Sequence, residues 1–307
     1  MTLAPQAASA ELATPGVHAT ARIKATCAGQ ATALPILHGS GPFDLRRTRP
    51  HGNQARVCII GAMNAPLGGD RLRIEATAEP GAHLHITTAA ATIALRGPTL
   101  DHATYDVHLS VADQASLHWL PQPLISAAGS NLRQTCTVEL APTARLVLRE
   151  EQVLGRADET PGRLATRLTV RRDGHLLLDQ ETVYGADAPG WDGPAILAGH
   201  RAVGQLLVVD PDFDQQPPPV RLLGDDPARG QAALTPLAGP AVLVTALAPD
   251  ALHLNRLLDM AHPVVLGRHD FAEAAPTLTG DPRLPLPPAS SRRDDGGEMD
   301  GLSPPSG

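Results

Sequence analysis

From Leu72 onward the chain alternates: Leu72, Ile74, Ala76 and Ala78 are apolar, and the residues interleaved with them, Arg71, Arg73, Glu75 and Thr77, are polar. A period of two is the mark of a strand with one buried face. Pro80-Gly81 interrupts it, Pro fixing φ and Gly accepting positive φ, and Leu84 and Ile86 resume the apolar face. The figure recurs. Tyr105, Val107, Leu109 and Val111 alternate up to Asp113-Gln114, with Leu117 and Trp119 beyond. Leu132, Val138 and Leu140 lead to Ala141-Pro142-Thr143, and Leu146 and Leu148 follow. Leu164, Leu168 and Val170 lead to Asp173-Gly174, a strong hairpin signal, with Leu176 and Leu178 after it. Pro80, Asp113, Pro142 and Asp173 lie 33, 29 and 31 positions apart, a spacing that marks a repeated supersecondary unit. Each unit reads as a long hairpin that cannot bury its apolar face alone, so several must stack. The expected fold is mainly β: packed sheets built from repeated long hairpins.

Outside the repeats, Val17 to Thr26 reads as a first strand, with Val17, Ala19, Ala21 and Ile23 on one face. Ala55 to Gly61 is short, apolar and β-branched, the pattern of a buried central strand. Ala202–Val209 and Ala241–Ala246 are further apolar strands. One helix is expected after Asp250, which can cap a segment where Leu254, Leu257 and Leu258 share a face; a weaker helical pattern covers Ala228–Leu234. The organisation expected is a disordered N-terminus (1–16), one β domain (17–265) and a disordered Pro-, Ser- and Asp-rich tail (280–307), whose composition cannot offset the entropy of ordering.

Composition narrows the function. Apolar residues make up 42% of the chain, enough for a core, but aromatic residues only 2%, too few for the stacking platforms of a carbohydrate site. A net charge of −7, with no basic run carrying aromatics, gives no footprint for nucleic acid. No window approaches the ~20 apolar residues of a membrane span, and Met1–Pro15 lacks the basic and apolar regions of a secretory signal. Three scattered cysteines, Cys27, Cys58 and Cys136, fit a reducing compartment. The expected setting is the cytoplasm.

Two groups of side chains are candidates for chemistry. His83 and His85 lie on one strand face, with His102, His108 and His118 in neighbouring repeats; imidazoles bind zinc, nickel or copper, but a site needs further ligands, and outward-facing polar positions on alternating strands are the simpler account. Glu150 and Glu151, being adjacent, face opposite sides of a strand, so only one is expected to point inward. If Leu146 and Leu148 are buried, that one is Glu150, and Arg156 is the nearest candidate partner in sequence. Asp179 and Glu181 share a face on a later strand. Paired carboxylates suit a glycosidase, which makes a β-solenoid hydrolase or lyase the alternative function; an ion pair is the default reading. No nucleophile elbow, P-loop or dinucleotide fingerprint is present.

Four motifs in register carry a resemblance. Gly68-Gly69-Asp70-Arg71-Leu72, then Pro80-Gly81-Ala82 followed by Thr87-Thr88 and Thr92, then Leu117 to Gln122 (Leu-His-Trp-Leu-Pro-Gln), and Glu150 with Leu154-Gly155-Arg156 together resemble the urease accessory protein UreD family, also called UreH, from about Ala19 to Met260. The chain departs from the family pattern around Met63, at Ile93 and Leu95, and at Ser126–Ser130. The resemblance implies a non-catalytic protein. It implies binding to urease apoprotein, recruitment of UreF-type and UreG-type (GTPase) partners, and help in passing nickel to the urease active site through an internal polar passage. By motif position, Asp70 and Glu150 become transient nickel ligands, with Thr87, Thr88, Arg156, Asp179 and Glu181 as lining or support, and no cofactor is bound tightly. Weak, releasable binding of a divalent ion suits oxygen ligands better than a closed thiolate or imidazole cage.

Overall fold

The computed structural model describes residues 16–266 except Leu100 and Asp187; residues 1–15 and the expected disordered tail lie outside them. In chain order come β1 (His18–Ala28), β2 (Ala31–His38), β3 (Phe43–His51), β4 (Gln54–Gly61), β5 (Arg71–Ala78) and β6 (His83–Thr88). There follow β7 (Thr92–Ala94), β8 (Ala103–Val111), β9 (Ser116–Leu120), β10 (Leu124–Ser126), β11 (Asn131–Leu140) and β12 (Arg145–Leu154). The last are β13 (Arg163–Arg172), β14 (His175–Tyr184), β15 (Ala202–Val209), β16 (Arg221–Leu223), β17 (Gln231–Pro236), β18 (Ala241–Ala248) and the helix α1 (Ala251–Leu266). The fold is mainly β, as expected.

The strands form two sheets. The smaller has the order β14-β13-β11-β8-β5-β1-β2; the larger runs β16-β17-β18-β15-β12-β9-β6-β4-β3, with β10 and β7 paired beside β12. The repeated units are not hairpins, and here the sequence expectation is corrected. β5, β8 and β11 belong to the smaller sheet, whereas β6, β9 and β12, which follow them, belong to the larger. Each unit is an arch that crosses the core, and like strands of successive units pair in parallel: Arg71 with Thr104, Leu132 with Ala103, His83 with Ser116, and Leu146 with Leu117.

The arches share one corner. Ala82 N–H donates to Glu79 O, Ala115 N–H to Ala112 O, and Ala144 N–H to Ala141 O, at 2.9–3.2 Å. Each four-residue turn thus ends on an alanine, and all three alanines are buried where the chain passes from one sheet to the other. The corners also bond to one another: Gly81 N–H donates to Asp113 O, and Asp113 Oδ1 accepts from Thr143 Oγ1 at 2.7 Å. That stacking explains the near-constant spacing of turn residues. Of the four repeated turns, Asp173-Gly174 alone closes a hairpin, β13–β14, with φ of 52° and 72°, as an Asp-Gly turn favours.

The main core fills the space between the sheets, including Leu72, Ile74, Leu84, Ile86, Leu117, Trp119, Leu146 and Leu148. A second core lies on the far side of the larger sheet, where Val147, Leu206, Val208 and Val244 meet Leu254, Leu257 and Leu258 of α1. Asp250 caps this helix, its Oδ1 accepting from His253 N–H at 2.9 Å, as the sequence indicated. The weaker helical pattern at Ala228–Leu234 resolves instead into a short 3-10 turn, Pro227–Arg229, and the strand β17: Gly230 breaks it, and Ala232 and Leu234 alternate inward.

Gly204 sets how closely α1 approaches. A Cβ there would lie 3.0 Å from Leu258 Cδ1 and 3.2 Å from Leu254 Cδ1. We predict that Gly204→Val displaces α1 and destabilises the fold by about 1–3 kcal/mol; a denaturant midpoint unchanged from wild type would contradict this contact.

Candidate functional site

β12 is covered on both sides, by the smaller sheet and by α1, so its residues from Leu146 to Gln152 are all buried. Glu150 follows Leu146 and Leu148 onto the inner face, as period two requires. Glu151 points to the opposite face, so only one of the two carboxyls points inward, as expected; Glu151 is nevertheless also buried, because the helix covers that face.

Glu150 lines a cavity of about 400 Å³ between β12, β15 and β18 on one side and β13 and β14 on the other. Its Oε2 accepts from Gln205 Nε2 at 2.8 Å, and Gln205 Oε1, shut from solvent, has no partner. Gln152, Thr166, Gln180 and Thr182 add amides and hydroxyls to the wall, and Glu150 is the one charged residue among the described residues lining it. Ile196 (51% exposed) and Leu222 (79% exposed) flank the mouth. Burial pushes the Glu150 carboxyl above the ordinary range, with the Gln205 bond opposing, because a charge without a cation is costly in this setting. Gln205 is not among the residues the sequence motifs indicate; its one local signal is that it is the lone polar side chain in the apolar run Ala202–Val209.

The other motif residues do not line this cavity. Asp70 is buried, but its carboxylate accepts from Val17 N–H and Leu67 N–H, both at 2.8 Å, and so ties the loop before β5 to the start of β1. Arg156 is not the partner of Glu150. It is exposed and paired with Glu159 (Nε to Oε1, 3.0 Å), because Gly155, at φ 87°, turns the chain out of the sheet. Thr87 lies on the outer face of the larger sheet, and Thr88 Oγ1 accepts from Gln122 N–H at 2.9 Å, which joins the Thr-Thr and Leu-Pro-Gln motifs. Asp179 and Glu181 share the exposed outer face of β14, where Arg167 reaches both, at 2.7 and 3.8 Å. The motifs are thus mostly junctions of the arch stack; Ser126, at one departure, is another, its carbonyl accepting from Gly155 N–H.

On the outer face, Arg149 donates to Glu151 at 2.6 Å and to Asp259 of α1 at 2.7 Å. His83 Nδ1 lies 2.9 Å from Ser116 Oγ, and His85 and His118 sit side by side with ring centroids 5.8 Å apart. Among the described residues, no three His, Cys, Asp or Glu side chains are gathered closely enough to hold a metal ion. Burial, then the Arg56 charge, holds His85 down to about 4. Burial, then the neighbouring His85, His262, Arg56 and His83, holds His118 down to about 3. Both stay neutral when folded but take up protons near pH 6.5 when unfolded, so stability present above that pH is lost as pH falls toward 4. The raised carboxyl of Glu150 acts with the opposite sign, so a variant comparison is needed. From pH 7 to 5, wild type should lose about 1–2 kcal/mol more than His85→Gln does, measured by urea unfolding; equal losses would contradict the assignment.

Among the described residues no helix is long and apolar enough to cross a membrane. The family model described as UreD urease accessory protein matches residues 17–278. Urease accessory protein UreD 2 of Saccharopolyspora erythraea is 63% identical over 260 residues, covering 85% of this chain and 92% of its own length. Urease accessory protein UreD 3 of Streptomyces griseus is 60% identical over 250 residues, covering 80% of this chain and 95% of its own length. A more distant relative, urease accessory protein UreD 1 of S. erythraea, is 35% identical over 228 residues, covering 73% of this chain and 82% of its own length. With the four motifs in register, an arch stack built on them and a family match across the whole β domain, the chain belongs to the UreD urease accessory protein family.

Proposed function

We propose that this protein is a urease maturation factor without catalysis of its own: a cytoplasmic scaffold that assembles UreF-type and UreG-type partners on urease apoprotein and helps pass nickel to the active site. Nickel is its cargo, held transiently. The observation that carries this reading is the cavity beside Glu150. A buried carboxyl next to the unpartnered Gln205 Oε1 offers two oxygen donors to a divalent cation, within walls of neutral amides and hydroxyls that can hydrogen-bond the ion's water shell. One charge and no thiolate or imidazole cage suit capture followed by release. Burial, which raises the Glu150 carboxyl, adds to this: a cation that enters competes with the proton for the carboxylate, and when it leaves the carboxylate can regain a proton from water. The three free cysteines are in keeping with a reducing compartment.

In this reading Asp70 is a structural brace rather than a ligand, since both its oxygens are occupied by backbone N–H groups. Arg156, Asp179 and Glu181 belong to the outer surface, Thr87 to the outer face of the larger sheet, and Thr88 to a junction between arches. The test is co-purification with tagged urease apoprotein and with UreF-type and UreG-type proteins of the same genome, nickel-dependent urease activity being read in parallel. A stable complex that supports activation is expected. A folded protein that binds none of them would refute the proposal.

A further inference from the structure

Across three neighbouring strands of the larger sheet, Arg56, His85 and His118 stand in one row: Arg56 is in register with His85, and His85 with His118. The two imidazoles are 5.8 Å apart between centroids, and His262 of α1 and His83 are close enough to act on His118 electrostatically. Two nitrogens in this row, Arg56 Nε and His85 Nδ1, are closed off from solvent and have no hydrogen-bond partner. Buried polar groups are nearly always paired, and an orphan calls for a specific cause. Two orphans on adjacent strands at one level of the sheet call for a shared one.

The charge around the row decides what kind of ligand would pair them. Of the neighbours acting on His118, namely His85, His262, Arg56 and His83, Arg56 carries the permanent charge, and burial keeps His85 neutral. The carboxylates that α1 and β12 present on this face, Asp259 and Glu151, each pair with Arg149, Glu151 through Oε1 alone, its Oε2 having no partner. A metal ion at the imidazoles would meet the permanent charge of Arg56, whereas an anion would be attracted by it and would accept from Arg56 Nε–H and, in the tautomer that carries the proton on Nδ1, from His85. We propose that this row binds an anionic oxygen ligand, a small oxyanion or a carboxylate, through Arg56 Nε–H and His85 Nδ1–H with His118 beside them. The site is separate from the cavity of Glu150, on the opposite face of the larger sheet, and does not rest on the nickel proposal.

The test uses the full chain in low-chloride buffer at pH 7, titrated separately with inorganic phosphate, acetate and nickel chloride. Melting temperature and the ring ¹⁵N resonances of the histidines are followed. Phosphate or acetate should raise the melting temperature and move the His85 ring signals, and Arg56→Met should weaken the apparent affinity by about tenfold or more. His85→Phe keeps a ring and removes the donor, so it should weaken binding even if Arg56→Met fails to fold. Stronger binding of phosphate would identify a free oxyanion as the ligand; stronger binding of acetate would identify an acidic side chain of a partner protein. No response to either anion would overturn the proposal. So would responses unchanged in the variants that fold, or nickel moving the His85 and His118 rings where the anions do not.

Discussion

Replacing Arg149 by methionine is expected to cost about 3–5 kcal/mol, the usual penalty for removing one partner of a buried ion pair. Arg149 is nearly buried on the outer face of β12, and its guanidinium joins Glu151 on the same strand to Asp259 on α1. Without it Glu151, whose Oε2 already lacks a partner, is left in an apolar layer with no cation. Burial already pushes the Glu151 carboxyl up, opposed by Arg149, so the variant should push it further. That gives the deficit a pH signature. A carboxyl with a raised folded pKa destabilises the fold where only the unfolded chain is ionised, so the deficit should shrink as pH falls toward ~4.3. The double variant Arg149→Met/Glu151→Met, which replaces the pair by apolar side chains, should regain most of the loss. Urea unfolding of the three proteins at pH 7 and 5 decides the matter. A single variant as stable as wild type would mean that α1 is held by its leucines alone.

The alternation at Leu72–Ala78 and Tyr105–Val111 made the strands legible, and Asp250 with Leu254, Leu257 and Leu258 made the helix legible. What alternation could not convey is which sheet the next strand joins. A hairpin and an arch both present apolar residues at every second position, because both leave each strand with one buried face. The distinguishing sign was in the turns: Ala82, Ala115 and Ala144 each stand at the fourth position of a corner, where two sheets converge, whereas Asp173-Gly174 is a two-residue loop of the hairpin kind. Glu150 was placed correctly by counting from Leu146 and Leu148. Its partner was not, since Gln205 lies 55 residues away in sequence and meets Glu150 only because β15 pairs with β12. The burial of Glu151 was likewise invisible, as it depends on a helix that closes over β12 from more than a hundred residues further on. Local pattern specifies faces; the partners on those faces come from topology.

Glu150→Leu is expected to leave the protein folded while lowering urease activation at limiting nickel by about tenfold or more, the range seen when groups that tune a metal site are removed. The fold should tolerate it because Glu150 lies beside a cavity and is held by one side-chain hydrogen bond, from Gln205. Orphaning Gln205 Nε2 costs about 1–3 kcal/mol, which the added apolar contact with Leu168 and Val203, also on the cavity wall, partly offsets. Glu150→Gln separates charge from shape: it can still bond to Gln205 but can never become an anion. If the carboxylate captures the cation, both variants fail at limiting nickel and recover as nickel is raised, because the scaffold and its partner contacts persist. Co-purification with urease apoprotein should therefore be normal for each. Activation by wild type should also rise with pH above the ordinary carboxylate range, as more of the raised Glu150 carboxyl can release its proton, whereas activation by Glu150→Gln should lack that component. Normal activation by Glu150→Gln at limiting nickel would remove Glu150 from the cargo route and leave the cavity as packing.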